Sequence, residues 1–127
     1  MEIDWDKAPG LARHIGIRFV ETEKDRIVAE LEIRRELLTT TGALHGGTLM
    51  AFADTIGAAG TVVNLVPGQN TATLESKTNF FAAAFKGVVR AGSTPLHKGK
   101  RTHVWQTRVT DANGKLLSLT IQTQVIL

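Results

Sequence analysis

The stretch 44-LHGGTLMAFADTIGAAG-60 is an apolar run that contains a single carboxylate, Asp54. The run predicts a helix over roughly residues 46–64. Because that helix is apolar on most of its sides, we expect it to be buried on most of its sides. An ionised carboxylate is costly there unless it is paired, and no basic residue stands three or four positions from Asp54. Asp54 therefore either faces solvent at a helix edge or is a desolvated carboxylate that serves as a base or a nucleophile.

The segments on either side of this helix are typical of β-strands. Residues 26–33 and 116–127 alternate between two faces, and the Asn-Gly pair in 111-DANG-114 predicts a hairpin. Residues 9–16 leave room for one or two helical turns. Six strands are predicted, over residues 17–22, 26–33, 71–82, 86–97, 100–110 and 116–127. The predicted fold class is α+β: a single domain over residues 1–127, in which an antiparallel sheet of about five to six strands wraps around one long central α-helix.

The composition is that of a soluble globular protein, with 43% hydrophobic and 21% charged residues among 127. The absence of cysteine excludes a disulfide framework, a zinc site with cysteine ligands and a thiol nucleophile. The histidines show no spacing typical of a metal site, so we expect no metal, and we expect His103 to face the sheet surface beside Trp105. No apolar run reaches the roughly 20 residues of a membrane span and no signal peptide is visible, so we expect a cytoplasmic protein that does not enter a membrane.

Charge is distributed unevenly along the chain. Residues 1–75 carry 11 acidic and 7 basic residues, whereas residues 76–127 carry 1 acidic and 8 basic ones. The two net charges, −4 and +7, add to the overall +3. A basic second half indicates an anionic partner, either nucleic acid or a small phosphorylated ligand. Nucleic acid is the less favoured of the two, because the chain has only 2 Trp, 5 Phe and no Tyr to stack on bases.

Gly46 and Gly47 stand where the predicted helix begins. The first amides of a helix have no acceptor inside it, and glycine leaves them uncovered, so the pair is either a flexible helix entry or an oxyanion hole for a reacting carbonyl. Asp54 lies eight residues beyond Gly46, about 12 Å along the helix axis, which its side chain cannot span. If both groups act on one substrate, they must come from two chains whose helices run antiparallel. This hypothesis requires an obligate homodimer with two identical sites.

The segment 45-HGGTLMAFAD-54 resembles the His-Gly-Gly-(six residues)-Asp signature of the hotdog-fold acyl-CoA thioesterases, in particular the phenylacetic-acid-degradation and 4-hydroxybenzoyl-CoA thioesterase branch. The flanks are similar to the family as well, over 11-LARHIGIRF-19, 73-TLESKTNFFAAAFKG-87 and residues 97–127. The resemblance implies a hotdog fold and hydrolysis of an acyl- or aryl-CoA to the free acid and CoA. It implies no cofactor, because CoA is part of the substrate. We expect the obligate homodimer to pair into a dimer of dimers.

The resemblance also implies roles for individual residues. Asp54 is implied to attack the thioester or to activate water, and the N–H of Gly46 from the facing subunit is implied to bind the thioester oxygen. His45 is implied to fix the loop, although a histidine beside the site could also be a general base. Thr39 stands where many members carry an Asn or Gln that touches the water or the carboxylate, which is a departure from the family. Thr73 is at the position of a Ser or Thr that supports the site.

The basic turn 97-HKGKRT-102 is the predicted site for the phosphates of CoA. Point charges suit phosphate held at a protein surface, although a solvated hairpin turn also takes Lys and Gly readily. The predicted CoA-binding residues are Lys98, Lys100, Arg101 and Gly47, with Arg90 and Arg108 on the flanking strands. The acyl pocket could be aryl or aliphatic, and its candidate lining residues are Phe80, Phe81 and Phe85.

Two other functions remain open. A hotdog hydratase or dehydratase would pair a histidine with the acid for proton transfer across a C–C bond, and turnover of an enoyl-CoA would identify it. A non-catalytic acyl-CoA binder or sensor would bind tightly without hydrolysis, and the departure at Thr39 gives it some support. The signature favours hydrolysis, which requires a polarised carbonyl, a carboxylate or a water molecule, and a good thiolate leaving group.

Overall fold

The computed structural model describes Asp4, Lys7 and residues 10–127. The elements are α1 (Leu11–Ile15), β1 (Arg18–Glu23), β2 (Arg26–Glu32), a 3-10 turn (Arg35–Leu37), α2 (Gly46–Val62), β3 (Thr71–Phe80), β4 (Val88–Lys98), β5 (Thr102–Thr110) and β6 (Leu116–Ile126). The strands form one antiparallel sheet in the order β1-β2-β4-β5-β6-β3. The predicted fold, an antiparallel sheet around one long helix, is confirmed.

The element boundaries differ from the predicted ones by a few residues. Of the short helix predicted at 9–16, α1 covers 11–15, and position 9 lies outside the described residues. The strand predicted from residue 86 starts only at Val88, because Gly87 takes a positive φ of 94° that turns the chain into β4. The predicted hairpin at 111–114 is present, and there Asp111 Oδ1 accepts the N–H groups of Asn113 and Lys115.

The core lies between α2 and the helix-facing side of the sheet. The helix contributes Leu49, Phe52, Ile56 and Ala59, and the sheet contributes Ile27, Ala29, Leu31, Val89, Ala91, Val109 and Leu117. Two glycines let the helix approach the sheet closely. A Cβ at Gly60 would stand 2.7 Å from the ring of Trp105, which is fully buried, and a Cβ at Gly57 would overlap the side-chain amide of Gln122. The spacing of helix and sheet is therefore set by these two positions.

Helix α2 was expected to be buried on most of its sides, but in the single chain one of its sides is only partly covered. Met50 remains 40% exposed, and Ala51, Asp54 and Ala58 are only half-buried. These residues form a stripe along the helix at the spacing of one turn. A largely apolar stripe of this kind on a helix is typical of a surface that another element covers.

Strand β6 has its polar face toward the helix, not toward solvent. Its alternation was expected from the sequence, but the buried set is Ser118, Thr120, Gln122 and Gln124, whereas Ile121 is 39% exposed. Two hydroxyls and two amides fit beneath α2, where the glycine at position 57 leaves room for the amide of Gln122. The helix-facing side of β6 is therefore a polar layer.

The prediction for His103 is partly wrong. His103 does lie beside Trp105, with the ring centroids 6.5 Å apart, but it is buried beneath the end of α2 and does not lie on an open sheet surface. Thr61 Oγ1 accepts the indole N–H of Trp105 at 3.0 Å and lies 3.0 Å from His103 Nδ1. Because that oxygen already accepts from Trp105, its own hydrogen is free to be donated to the imidazole. Burial also lowers the pKa of His103, which favours the neutral imidazole.

Candidate active site

His45 caps the N-terminus of α2. Its backbone is extended (φ −63°, ψ 135°), and its Nδ1 accepts the N–H of Gly47 at 2.7 Å. The proton of the neutral ring is therefore on Nε2. A Cβ at Gly47 would stand 2.9 Å from His45 Nδ1, so glycine at this position makes room for the capping ring. The side chain of His45 therefore bonds the first turn of α2 within its own chain, and the role predicted for it stays a prediction.

The first amide of α2, that of Gly46, finds no acceptor among the described residues. The ring of Phe80, from the end of β3, packs over this residue, with its Cζ 3.3 Å from the position that a Cβ would occupy. The helix dipole adds partial positive charge at this end. An uncovered N–H beside an aromatic ring is therefore available to the oxygen of a carbonyl ligand.

The loop before α2 is held by main-chain hydrogen bonds. Leu44 N–H donates to Ala84, and His45 N–H donates to Leu37, which also accepts the hydroxyl of Thr48. Thr39 begins this loop, and its Oγ1 lies 2.8 Å from the hydroxyl of Thr41 and accepts the Thr41 N–H. In this chain, the side-chain bonds of Thr39 are local and do not reach Asp54.

Asp54 is a half-buried carboxylate with two unequal oxygens. Its Oδ1 accepts the hydroxyl of Thr73 at 2.7 Å and the side-chain amide of Gln122 at 3.0 Å. Its Oδ2 has no donor among the described residues, and none of their ion pairs involves Asp54. One oxygen is therefore fixed by neutral donors, while the other remains open to a ligand, a water molecule or a proton.

Gln122 and Gln124 of β6 belong to the hydrogen-bond network of this carboxylate, and neither was predicted as a site residue from the sequence. Gln122 Nε2 also donates to the Asp54 carbonyl at 3.1 Å and to Gln124 Oε1 at 2.9 Å, and Gln124 Nε2 donates to Thr71 Oγ1 at 3.2 Å. In the sequence both glutamines fall on the polar set of an alternating strand, which usually faces water. A usable signal was Gly57 in the interior of the predicted helix. A glycine there costs about 1 kcal/mol relative to alanine, so it indicates that another side chain, such as one of the two glutamines, packs closely against the helix.

Within one chain, Gly46 and Asp54 lie at different places along α2. Eight residues separate them, which is about 12 Å at the rise of an α-helix. The structure therefore does not bring Asp54 to the open amide of its own helix. It does bring Asp54 together with Thr73, and it brings Gly46 together with Phe80. Both companions belong to β3, the edge strand of the sheet.

The basic turn between β4 and β5 divides into paired and unpaired cations. Lys98 Nζ lies 2.5 Å from Asp25 Oδ1 and 3.4 Å from Asn64 Oδ1, at the end of α2 opposite to Gly46. Lys100 and Arg101 are exposed, and neither forms an ion pair with another described residue. Of the three cations predicted to bind phosphate, Lys98 is therefore already paired with Asp25, whereas Lys100 and Arg101 form no ion pair with a described residue.

Arg90 and Arg108 lie on the sheet face that points away from α2. Their neighbours Ala91 and Val109 are in the core, and successive strand residues alternate between faces. Together with Arg26 they line a depression of about 270 Å³ around Gly92. In a single chain, these two arginines are thus separated by the sheet from the carboxylate of Asp54.

Among the residues that the structure describes, no three His, Cys, Asp or Glu side chains are grouped so that they could hold a metal ion. No helix in the described part of the chain combines the length and the apolarity needed to cross a bilayer.

Residues 41–118 match the model of a family described as the thioesterase superfamily. The 1,4-dihydroxy-2-naphthoyl-CoA hydrolase of Listeria monocytogenes serotype 1/2a (strain 10403S) is 34% identical over 110 residues, which are 87% of this chain and 89% of that protein. A thioesterase of Haemophilus influenzae superposes with a TM-score of 0.87 at 28% identity, over 91% of this chain and 81% of that one. The Escherichia coli PaaI protein from the phenylacetic acid degradation operon superposes with a TM-score of 0.85 at 21% identity, over 91% of this chain and 83% of that one, which shows the likeness in fold alone.

Proposed function

Because the chain belongs to the thioesterase superfamily, we propose that it hydrolyses the thioester bond of an acyl-CoA and releases the free acid and CoA. The membership confirms the family expected from 45-HGGTLMAFAD-54. The observation that carries the proposal is the state of Asp54, a half-buried carboxylate with one oxygen held by Thr73 and Gln122 and the other open. No thiol or metal is needed, since a thioester requires only a polarised carbonyl and a base or nucleophile.

In the proposed reaction, the Gly46 N–H of one subunit binds the thioester oxygen, where negative charge develops as the carbonyl becomes tetrahedral. Asp54 of the facing subunit uses its open oxygen Oδ2 in one of two ways. It takes a proton from the attacking water, or it attacks the carbonyl itself to form a mixed anhydride that water then cleaves. In both routes, the C–S bond breaks as CoA leaves as a thiolate, which takes up a proton to give the thiol.

This two-chain site would be completed by a two-fold pairing of β3 with β3 of a second copy. Among the described residues no strand pairs with the outer edge of β3, and an edge of ten residues readily pairs with another chain. If antiparallel pairing is centred near Ser76, position 80 of one chain lies opposite position 72 of the other. Phe80, with Gly46 beneath it, would then stand next to Thr73 and Asp54 of the facing subunit. The same pairing brings the half-exposed stripe of α2 toward its counterpart.

We propose an aromatic acyl group as the substrate class. Phe80 packs over Gly46, so a thioester whose oxygen reaches that amide places its acyl group beside an aromatic ring. Phe81 and Phe85, from the segment that follows β3, are also largely exposed in the single chain. The Listeria monocytogenes relative is named for a bicyclic aromatic acyl-CoA, which agrees with a pocket of this kind.

Free cations of the β4–β5 turn are proposed to bind the phosphates of CoA. Lys100 and Arg101 are better candidates than Lys98, because Lys98 is already paired with Asp25. A phosphate at Lys98 would have to displace that carboxylate. The proposed assembly is an obligate homodimer, with a dimer of dimers as its extension.

The test is thiol release from a panel of CoA thioesters by the wild-type protein. The panel contains 1,4-dihydroxy-2-naphthoyl-CoA, benzoyl-CoA, an aliphatic acyl-CoA and an enoyl-CoA. Release that is fastest with the aromatic esters supports the proposal. Tight binding of the esters without thiol release would instead identify an acyl-CoA binder, and hydration of the enoyl-CoA would identify a hydratase.

A further inference from the structure

Gln122 is an unusual residue for the buried, helix-facing side of a sheet. Its side chain is fully buried, and its Nε2 reaches three acceptors: Asp54 Oδ1 at 3.0 Å, the Asp54 carbonyl at 3.1 Å and Gln124 Oε1 at 2.9 Å. An amide nitrogen has two hydrogens. One is shared between Asp54 Oδ1 and the main-chain carbonyl oxygen of Asp54, and the other goes to Gln124. Gln122 therefore holds both the side chain and the main chain of the same residue.

The amide of Gln122, on β6, fits beneath α2 because the helix carries a glycine at that point. Gly57 stands one turn after Asp54 on α2, and a Cβ there would overlap the Gln122 amide. The helix thus carries a glycine, a residue that disfavours helix, at the one turn where Gln122 crosses it.

The fold alone does not explain a glutamine at this position. Gln122 Oε1 is buried and has no hydrogen-bond partner among the described residues. Leaving a buried acceptor unpaired is unfavourable, and an unbranched apolar side chain of equal length would avoid that cost. The bonds from Nε2 to Asp54 are what the glutamine supplies and an apolar residue could not.

Thr73 cannot replace Gln122 in this task. Its hydroxyl lies 2.7 Å from Asp54 Oδ1 and 2.6 Å from Gln124 Oε1, but it has a single hydrogen to donate. When Thr73 donates to Gln124, Gln122 is the remaining donor to Asp54 Oδ1. Gln122 therefore keeps a hydrogen bond on that oxygen whichever acceptor Thr73 chooses.

We propose that Gln122 is a positioning residue that fixes the rotamer of Asp54, so that Oδ2 faces the substrate while Oδ1 is held. This inference rests on the proposed thioesterase activity, in which Asp54 is the reacting carboxylate. Gln122 does not touch the substrate, and it acts only through Asp54.

The test compares Gln122→Met, which keeps the length and loses the donors, with Gln106→Met as the matched control. Gln106 is a half-buried glutamine on β5 whose side chain points away from α2. In Gln122→Met we expect kcat to fall by about tenfold or more while KM changes by less than about twofold. We expect its Tm to equal or exceed that of the wild type, because the unpaired oxygen is removed. Gln106→Met is expected to keep both kcat and KM.

Gln122→Glu provides a second variant of the same shape. It places a carboxyl group against Asp54, and we expect the acidic limb of its kcat/KM profile to move to higher pH. An unchanged kcat and pH profile in both Gln122 variants would overturn the proposal. So would a loss of activity in Gln122→Met that only follows a fall in Tm.

A readout without turnover separates this inference from the proposed reaction. In crystal structures of the two variants, the side chain of Asp54 is expected to occupy more than one rotamer in Gln122→Met and a single rotamer in Gln106→Met. If the wild type hydrolyses no thioester but this loss of order is seen, the positioning role stands and the proposed reaction falls. If thioesters are hydrolysed and the Asp54 rotamer and kcat are both unchanged, the positioning role falls and the reaction stands.

Discussion

Thr73 Oγ1 lies 2.7 Å from Asp54 Oδ1, so the edge strand β3 and the central helix α2 meet at the carboxylate of the helix. The same strand ends at Phe80, whose ring packs against Gly46 at the start of the helix. One edge strand is therefore in contact with both groups that the proposed reaction needs. A second copy paired along that edge would bring the two groups together.

The first prediction concerns Thr73. Thr73→Val keeps the shape of the side chain and removes the hydroxyl, and we expect kcat to fall by about tenfold to a hundredfold, the usual loss for a hydrogen bond to a charged group. Thr73→Ser keeps the hydroxyl and is expected to stay within about threefold of the wild type. Steady-state kinetics of the three proteins tests this, and equal rates for the Val and Ser variants would contradict it.

The second prediction separates the two roles that were considered for His45. Because its Nδ1 accepts the Gly47 N–H, His45→Asn should preserve the cap, whereas His45→Ala should lower the free energy of unfolding by about 1 kcal/mol. If His45 only caps the helix, His45→Asn keeps kcat within a few-fold. Denaturant unfolding and kinetics of both variants check this. A large loss of kcat in a fully stable His45→Asn would point to a general base instead.

The third prediction concerns pH. The pKa of His103 is lowered from 6.5, first because burial removes the ring from water, and then because Lys98 and His97 lie nearby. The unfolded chain therefore binds this proton more readily than the folded one, so the stability contribution is present above about pH 6.5 and is lost as the pH falls below it. Urea unfolding between about pH 8 and pH 5 should show the loss in the wild type and a weaker dependence in His103→Gln.

His14→Gln is the control for this experiment, because it also replaces a histidine by glutamine, but at an exposed position. Its stability curve against pH should overlay that of the wild type. Overlay of the His103→Gln curve with the wild type would show that His103 does not cause the acid sensitivity.

The fourth prediction concerns CoA recognition. A double variant, Lys100→Gln with Arg101→Gln, removes the two free cations of the β4–β5 turn. We expect KM for an acyl-CoA to rise by about tenfold, while KM for the corresponding acyl-pantetheine, which lacks the nucleotide phosphates, stays unchanged. Lys98→Gln should have a smaller effect on KM, because Lys98 is paired with Asp25. An equal rise with both substrates would contradict phosphate binding at this turn.

Much of the fold and part of the site could be predicted from the sequence. The apolar run around Asp54, the alternating strands and the Asn113-Gly114 turn are local patterns, and each gave an element within a few residues of its true bounds. The contact between Thr73 and Asp54 was reached through the family resemblance, since the two residues belong to separate elements. The catalytic roles themselves stay predictions.

The glutamine layer could not be predicted, because its burial depends on packing between distant elements. Gln122 and Gln124 alternate with apolar residues on β6, and alternation alone does not say which side of the sheet the helix covers. The two glycines Gly57 and Gly60 decide this, since they admit an amide and an indole ring beneath α2. The burial of His103 also depends on packing between distant elements, because Thr61 of α2 lies beside its ring.

The most direct test of the two-chain site is complementation between two inactive variants. Asp54→Asn removes the reacting carboxylate, and Gly46→Pro removes the amide hydrogen at a helix position where proline is tolerated after an extended residue such as His45. Gly46→Ala, which keeps the N–H, controls for crowding against Phe80. Each inactive variant alone should lose about a hundredfold or more in kcat.

When the two inactive variants are unfolded together in equal amounts and refolded, mixed dimers carry one site with both groups intact. Thiol release should then recover to about a quarter of the wild-type rate, because half of the dimers are mixed and each of these has one working site of two. Recovery to that level is the predicted result. If the co-refolded mixture stays as inactive as the separate variants, although mixed dimers form, Asp54 and Gly46 do not act across the two chains.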